Sequence, residues 1–352
     1  MKTRCPATFF CTVLALALPL ALRAAPAATR PAFASRAQTA PRKVVIASAL
    51  VELAGPVDAR LRQAAKMIDD AALEAAGKYA GHGLDVIVFP EFSLRRDPGA
   101  TAAEQSVTLA GPVLDVLGAK AREHHTWIVM PMTLREDGPA VRFSNAAVLF
   151  DRTGKVAGIF RKVHPIADEQ GVFEGGVTPG DSYPVFDCDF GRLGILICWD
   201  MSYEESWDAL AASGAELVAL PTASPQNLRP SAEALRHHYY VVNSAPRDNA
   251  TLFDPIGRPV AQLTTPPGVL VQQIDLAYAL LHWSETLHEG RAFTDRYGTR
   301  AGYSYSERED TGVFWSNDPQ LSIGAMVREL GLREMPDQIA AMEAARVKAA
   351  TR

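Results

Sequence analysis

Cysteine is scarce in this chain, and the common spacings of metal ligands are missing. Only four cysteines occur among 352 residues, and no Cys-x-x-Cys or His-x-x-x-His pair is present. Structural zinc sites usually rely on such closely spaced ligands, so the sequence predicts no metal site. Positive charge is also limited, because 35 basic residues stand against 40 acidic ones and the formal net charge is −5. Without a basic field, we expect no nucleic-acid partner.

The chain contains little that could cross a membrane. The apolar run Phe9–Leu22 is too short to span a bilayer comfortably. It follows two basic residues and precedes Ala25-Pro26-Ala27, which fits the small-x-small cleavage rule. This pattern predicts a secretory signal peptide over residues 1–27, with an uncleaved anchor as the alternative. We therefore expect an exported protein, periplasmic or secreted, with no stable membrane span after cleavage. Residues 28–42 resemble a flexible lead-in that carries no fold.

Strand-like and helix-like segments alternate through the body of the chain. Apolar, β-branched Lys43–Val51 is followed by Val57–Tyr79, whose apolar residues recur at helical spacing. Turn signals at Asp151–Gly154 and Asp254–Gly257 lie between apolar runs and indicate hairpins. The combination predicts an α/β fold with mixed sheets that are covered on both faces, in one domain over residues 43–277.

The remaining segment, residues 278–352, differs in character from this domain. It is rich in aromatic residues and contains a predicted helix near Gln338–Ala349. Aromatic side chains need a surface to cover them. We therefore expect a C-terminal extension that packs on the domain or on a partner subunit.

The most informative motif is GILICWD, in which an apolar strand ends at Cys198. A sulfur at a strand end is presented at the sheet edge. Backbone N–H groups at the start of the following helix favour the thiolate. This placement makes Cys198 a candidate nucleophile. The alternative is a small hydrophobic residue in the core, a frequent role for cysteine.

Glu91 also follows an apolar strand, directly after Pro90, which ends regular pairing there. Ligands of open α/β sheets bind at the carboxyl ends of strands, so a carboxylate here is suited to proton transfer. A solvated loop acid or a helix N-terminal acid is the alternative.

Two further charged residues are candidates for the same site. Lys162 closes the second strand of the first predicted hairpin. A fixed positive charge there could stabilise an oxyanion, although an ordinary surface lysine is the alternative. Glu174 lies in a glycine-rich loop before the cysteine, where an exposed acid without function is the alternative.

Taken in chain order, four motifs resemble the nitrilase (carbon–nitrogen hydrolase) superfamily. They are Phe89-Pro90-Glu91, Arg161-Lys162-Val163-His164, Glu174 in its loop, and Ile197-Cys198-Trp199-Asp200. The resemblance covers about residues 43–277, and the last motif is similar to the amidase and N-carbamoyl hydrolase branch. It implies a four-layer αββα sandwich that pairs into a homodimer or a higher homo-oligomer.

The resemblance also implies residue roles and requires no metal or organic cofactor. Cys198 would attack the substrate carbon, Glu91 would transfer protons, and Lys162 with the Trp199 backbone N–H would hold the oxyanion. Glu174 would orient the lysine and the substrate. Further candidates for oxyanion or substrate binding are Asp200, His164 and Asn243.

The sequence departs from the family pattern where the substrate pocket is shaped. Arg236 and His237 stand where relatives often have Glu-Asn, and residues 244–250 form a shorter loop than relatives usually show. Substrate identity therefore does not transfer from any one relative. Cys188 is expected to be free, because a bridge to Cys198 would block the nucleophile and the intervening strand carries the two apart.

The predicted function is thiol hydrolysis of a non-peptide C–N bond in a small amide or N-carbamoyl (ureido) compound. Nitrile hydrolysis and amide acyl transfer are alternatives that would use the same three residues. A non-catalytic descendant that binds small amides or a partner protein is an alternative of a different class.

Overall fold

The computed structural model describes residues 33–96 and 101–351, so the predicted signal peptide lies outside the described residues. No helix in these two ranges is long and apolar enough to cross a membrane. The helices are α1 (Val57–Lys78), α2 (Ala102–Gln105), α3 (Pro112–His124), α4 (Glu204–Ala212), α5 (Leu228–His237), α6 (Arg291–Tyr297), α7 (Ile323–Glu329) and α8 (Met335–Ala350).

The strands cover most of the chain between these helices. They are β1 (Lys43–Leu50), β2 (Val86–Val88), β3 (Val107–Thr108), β4 (Trp127–Glu136), β5 (Arg142–Phe150), β6 (Val156–Arg161), β7 (Val185–Cys188), β8 (Gly191–Ile195), β9 (Leu217–Pro221), β10 (Tyr240–Ser244), β11 (Ala250–Phe253), β12 (Pro259–Leu263), β13 (Gly268–Asp275), β14 (Tyr278–His282), β15 (Ala301–Ser306) and β16 (Thr311–Ser316).

Two mixed sheets form the centre of the domain. The first has the strand order β13-β1-β2-β4-β5-β6, with β3 added beside β4, and the second has the order β12-β11-β10-β9-β8-β7. In the first sheet β1, β2 and β4 run parallel, and in the second β8, β9 and β10 do so. The edge pairs β5–β6, β7–β8 and β11–β12 are antiparallel hairpins, whereas the edge pair β1–β13 is antiparallel but joins strands that are distant in the chain.

The burial pattern places a helical layer outside each sheet. Apolar residues of β1, β2, β5 and β6 share one core with those of β8, β9 and β10, so the two sheets face each other. That core continues through Trp207 of α4 and Ala234 of α5. On the other side, α1 and α3 pack on the opposite face of the first sheet in a second core. The predicted α/β sandwich with mixed sheets is confirmed.

The segment before β1 differs from the prediction of a lead-in without fold. Residues Phe33–Gln38 form a 3-10 helix, and Ala37 is fully buried. Arg36 donates to the hydroxyl of Tyr278 at 2.6 Å and to the carbonyl of His238 at 3.0 Å. Arg36 donates to buried acceptors of both the domain and the extension, and these contacts hold the segment in place. Composition alone does not reveal such contacts.

The C-terminal extension packs on the same chain. Strands β14, β16 and β15 form a three-stranded antiparallel sheet, whose apolar core includes Phe293, Phe314 and Met326. The Arg258 guanidinium donates to the carbonyl of Ser304 at 2.9 Å and ties this sheet to the domain. By contrast, α8 is exposed along most of its length after Met335.

Candidate active site

The chain topology brings the candidate residues of both sheets together. Glu91 follows β2 and Lys162 follows β6, both in the first sheet, whereas Cys198 follows β8 in the second. All three are buried, with exposed fractions of 6%, 2% and 6% respectively. Lys162 Nζ lies 2.8 Å from Oε1 of Glu91, and the charges of both groups act on the Cys198 thiol.

Lys162 lies between the two predicted glutamates. Its ammonium donates to Oε1 of Glu91 at 2.8 Å and to Oε1 of Glu174 at 2.6 Å. Burial alone would lower the pKa of the Lys162 ammonium, but the charges of Glu91 and Glu174 outweigh it and raise the pKa above its ordinary value. The lysine is therefore a permanent cation. Glu174 belongs to this cluster through its contact with Lys162.

Asn145 joins the same cluster and was not predicted. Its amide Nδ2 donates to Oε1 of Glu91 at 2.8 Å and to Oε2 of Glu174 at 2.8 Å. The Asn145 carbonyl also accepts the Lys162 backbone N–H, because the two residues lie on adjacent strands. The sequence signal for Asn145 was a single amide side chain within the apolar strand β5. A buried polar side chain requires a hydrogen-bond partner, so such a residue indicates a polar neighbour.

Cys198 sits on a strained turn between β8 and a 3-10 helix, Cys198–Ser202. Its φ of +46° lies in the left-handed region, which non-glycine residues rarely adopt. Asp200 stabilises this turn, because its Oδ2 accepts the N–H of Ile197 at 3.1 Å. Such a sharp turn takes the residue out of the strand geometry at the carboxyl end of the sheet.

The protonation state of Cys198 corrects the prediction of a thiolate. Burial, reinforced by the negative charge of Glu91, raises the pKa of the Cys198 thiol to about 11. Lys162, the Thr222 side chain and the Ala223 backbone favour the thiolate but do not outweigh these two effects. The sulfur is therefore a thiol at neutral pH.

The turn after β9 contributes to the site from a third direction. The Ala223 N–H donates to Oε2 of Glu91 at 3.0 Å. Thr222 and Ala223 both lower the pKa of the Cys198 thiol, so this turn lies near the sulfur. Glu91 Oε2 is thereby held on the side of the nucleophile, whereas Oε1 contacts Lys162. Neither Thr222 nor Ala223 was predicted as a site residue.

Asp200 and His164, two of the remaining candidates, hold the segments around Cys198 together. Asp200 is fully buried, and its Oδ1 accepts the N–H of His164 at 2.7 Å. The His164 ring stacks on Tyr203 with a centroid separation of 3.5 Å. These contacts join the segment after Lys162 to the turn that carries Cys198.

Asn243 and Trp199 occupy different environments. The Asn243 side chain is buried, accepts the Thr251 N–H, and donates weakly to the loop around Gln226. It therefore braces a loop beyond β9. Trp199 follows Cys198 in the first turn of the 3-10 helix, where backbone N–H groups have no intrahelical partner, and its side chain is 41% exposed.

Comparison with known proteins identifies the family. A family model described as carbon–nitrogen hydrolase matches residues 48–280. The chain belongs to this family. The carbon–nitrogen hydrolase is 30% identical over 165 residues to a deaminated glutathione amidase from Yersinia enterocolitica, a match that covers 44% of this chain and 56% of that protein. It is 29% identical over 209 residues to a formamidase from Pseudomonas syringae pv. tomato, covering 58% and 57% respectively. The matches thus span little more than half the length of these relatives.

A solved structure supports the same fold. Nit3 of Saccharomyces cerevisiae, described as a member of branch 10 of the nitrilase superfamily, aligns with a TM-score of 0.56 at 20% identity. The alignment covers 66% of this chain and 90% of that one. The resemblance predicted from the four motifs is confirmed, and the fold is that of the nitrilase superfamily.

The arrangement in this carbon–nitrogen hydrolase gathers a thiol, two carboxylates and a buried ammonium in one cluster. Elsewhere, Asp69, Glu123 and His124 bring potential metal-ligand atoms together on the surface. Lys120 already donates to Asp69 at 2.7 Å and to Glu123 at 2.9 Å, so an ammonium occupies that position.

Proposed function

We propose that this protein is a thiol amidase that cleaves a non-peptide C–N bond of a small amide or N-carbamoyl compound through an acyl-thioester on Cys198. The observation that carries the proposal is the position of the Glu91 carboxylate. One of its oxygens contacts the Lys162 ammonium and the other accepts the Ala223 N–H, and the charge of the carboxylate acts on the Cys198 thiol. A base held between a thiol and a cation is suited to activating that thiol.

In the first half-reaction, the Cys198 sulfur attacks the carbonyl carbon while Glu91 takes the thiol proton. The negative charge that develops on the carbonyl oxygen is stabilised by the Lys162 ammonium and the Trp199 N–H. Glu91 then gives the proton to the nitrogen, the C–N bond breaks, and ammonia or an amine departs. In the second half-reaction, Glu91 takes a proton from water, which attacks the thioester and releases the acid and the thiol.

The choice of an amide over a nitrile rests on two observations. The Ile-Cys-Trp-Asp run is similar to the amidase and N-carbamoyl branch, and the relatives described above are named as an amidase and a formamidase. Nitrile hydrolysis and acyl transfer to an amine remain the alternatives, because the same thioester chemistry serves both.

We also propose that the protein is exported and that it forms a homo-oligomer. The predicted signal peptide over residues 1–27 supports a periplasmic or secreted enzyme. Two exposed leucines on α5, Leu228 at 89% and Leu235 at 49%, support a homo-oligomer in which a second copy covers this helix. Fractionation of the producing cell and light scattering of the purified protein test these two points separately. An uncleaved chain in the cytosol, or a monomer at micromolar concentration, would contradict them.

The proposed activity is tested by ammonia and amine release from matched panels of amides, N-carbamoyl compounds and nitriles. Cys198→Ala should abolish release. Cys188→Ala should retain it, because the pKa of the Cys188 thiol is raised to about 12 by burial and neighbouring acids, and this thiol takes no part in the proposed chemistry. Full turnover by Cys198→Ala would refute the mechanism. Tight binding of amides by the unaltered protein without turnover would favour the non-catalytic alternative.

A further inference from the structure

A series of polar contacts connects the first turn of α4 to the turn that carries Cys198. Ser206 in α4 is fully buried, and its Oγ donates to the Tyr183 hydroxyl at 2.9 Å. That hydroxyl lies 3.2 Å from Nδ1 of His164, and the same ring nitrogen lies 3.3 Å from Oδ1 of Asp200. Side chains from the segment after β6, the segment before β7 and the helical segments after β8 are thus linked one after another.

Asp200 is the member of this series that contacts the Cys198 turn. Its buried carboxylate accepts one backbone N–H on each oxygen, from His164 at 2.7 Å and from Ile197 at 3.1 Å. Cys198 lies between Ile197 and Asp200 and has a φ of +46°. A non-glycine residue keeps such a conformation only where its surroundings impose it. The position of the sulfur therefore depends on where the Asp200 carboxylate is held.

The His164 ring adds a third contact to the same carboxylate, and this contact depends on how the ring is turned. Tyr203 stacks on the ring with centroids 3.5 Å apart and an interplanar angle of 9°, which fixes the plane of the imidazole. Half a rotation about the Cβ–Cγ bond keeps that plane but places a carbon where Nδ1 was. Stacking alone is compatible with both orientations. A polar contact must therefore select the orientation that directs Nδ1 to Asp200.

The Tyr183 hydroxyl is suited to this selection. Burial raises the pKa of Tyr183 to about 12, so the hydroxyl keeps its proton at neutral pH. Because a hydroxyl both donates and accepts, it can hydrogen-bond Nδ1 in either tautomer of the ring, whereas a ring carbon in that place would form no such bond. Glu205 Oε1 lies 3.4 Å from the other ring nitrogen, Nε2, but its side chain is 71% exposed. An ion pair with a solvated carboxylate holds its partner only weakly.

We propose that Tyr183 is a positioning residue for the nucleophile. Its hydroxyl, oriented by Ser206, selects the orientation of the His164 ring that contacts Asp200, and Asp200 in turn holds the strained turn at Cys198. This role requires no contact between Tyr183 and the substrate. The inference rests on the proposed function where it concerns turnover, whereas the packing of the Cys198 turn can be measured without any substrate.

The experiment is Tyr183→Phe, which removes the hydroxyl and keeps the ring. We expect kcat on the best amide to fall by about tenfold with KM unchanged, less than the roughly 10²-fold cost of a 1 Å misplacement, because both backbone contacts of Asp200 remain. In a Cys188→Ala background, Cys198 should react with a neutral aromatic disulfide about threefold faster or more, because a less firmly held turn opens more often. The disulfide reaction requires no turnover, so it decides the proposal even if the unaltered protein hydrolyses no amide, N-carbamoyl compound or nitrile.

Tyr297→Phe is the matched control for the loss of a buried hydroxyl. Tyr297 is also buried, and its hydroxyl donates to Oε2 of Glu329 at 2.8 Å within the C-terminal extension. Urea unfolding checks that the two variants are folded and lose comparable stability. Tyr297→Phe should leave kcat and the rate of the disulfide reaction unchanged. Changes of equal size in both variants would mean that Tyr183 contributes only to overall stability, and would overturn the proposal.

A double-mutant cycle tests whether Tyr183 acts through His164. His164→Phe keeps an aromatic ring beside Tyr203 but has no nitrogen to meet the Tyr183 hydroxyl. In that background, Tyr183→Phe should change neither kcat nor the rate of the disulfide reaction any further. The proposal is overturned if the effects of the two substitutions multiply independently, if Tyr183→Phe raises KM alone, or if it changes neither rate. If His164→Phe does not fold, the comparison of Tyr183→Phe with Tyr297→Phe decides alone.

Discussion

The buried ammonium of Lys162 donates to Oε1 of Glu91 at a distance of 2.8 Å. This ion pair links the candidate base to the candidate oxyanion donor, so substitution of either residue alters the electrostatics of both. It also fixes which oxygen of Glu91 remains available on the side of Cys198. The predictions below follow from this pair and its neighbours.

Lys162→Met should destabilise the protein strongly. The substitution leaves the carboxylates of Glu91 and Glu174 close together in the interior without their shared cation. Removal of one partner from a buried ion pair costs about 3–5 kcal/mol, and urea unfolding measures this loss. Lys155→Met, at an exposed position after the β5–β6 turn, should change the free energy of unfolding by less than about 0.5 kcal/mol. Equal effects of the two substitutions would mean that the Lys162 cluster is not a buried ionic unit.

Glu91→Gln should have opposite effects on turnover and on thiol reactivity. Loss of the base should lower kcat by about 10²–10⁴-fold. Loss of its negative charge should lower the pKa of Cys198, because that charge is one of the two causes that raise it. In a Cys188→Ala background, the variant should therefore react faster with a neutral aromatic disulfide at pH 8 than its parent does. Glu205→Gln, which alters an exposed acid near His164, should change neither quantity. Slower labelling of Glu91→Gln would contradict the account of the thiol.

Asn145→Ala should lower kcat more than it raises KM. The Asn145 amide holds both glutamates at 2.8 Å, so its removal frees Glu91 and Glu174 to move relative to the sulfur. Misplacement of a catalytic group by about 1 Å costs on the order of 10²-fold. Steady-state kinetics on the best amide measures the effect, with the exposed Gln320→Ala as the control. An increase in KM alone would assign Asn145 to substrate binding instead.

Glu334→Gln should stabilise the protein at pH 8 and leave it unchanged near pH 4.5. Burial, reinforced by Asp337, raises the pKa of Glu334 to about 7, above the unfolded value of about 4.3. Between these two values the folded state binds the additional proton, so stability falls as pH rises through this window. Thermal melting from pH 4.5 to pH 8 should show a gain for Glu334→Gln only at the upper end. The exposed Glu309→Gln is the control. A gain of equal size at both ends would exclude titration of Glu334 as the cause.

Much of the fold could be predicted from local pattern. The predicted segments Lys43–Val51 and Val57–Tyr79 end within one residue of the observed strand Lys43–Leu50 and helix Val57–Lys78, because a β-branched apolar run and apolar residues at helical spacing are both local signals. The helix Leu228–His237 was missed, since its proline and its short apolar face weaken the helical pattern. The strand Ala301–Ser306 was also missed, because in AGYSYS small residues alternate with aromatic ones and no continuous apolar run forms.

The candidate site could be predicted from the sequence only in part. The order of motifs identifies Glu91, Lys162, Glu174 and Cys198, and the structure brings all four together. Asn145 was missed because sequence does not show which strand faces it. The thiol state of Cys198 was also missed, because it depends on the through-space charge of Glu91 and on burial, neither of which is local in sequence.

The central claim is that Cys198 forms an acyl-thioester with an amide substrate. Rapid acid quenching during turnover of the best amide, followed by mass spectrometry of the Cys198 peptide, tests it most directly. We predict a mass increase equal to the acyl group, at Cys198 and not at Cys188, in the unaltered protein and in Glu91→Gln, where the thioester both forms and hydrolyses more slowly. Turnover with no acyl adduct on Cys198 in either protein, together with activity in Cys198→Ala, would contradict it.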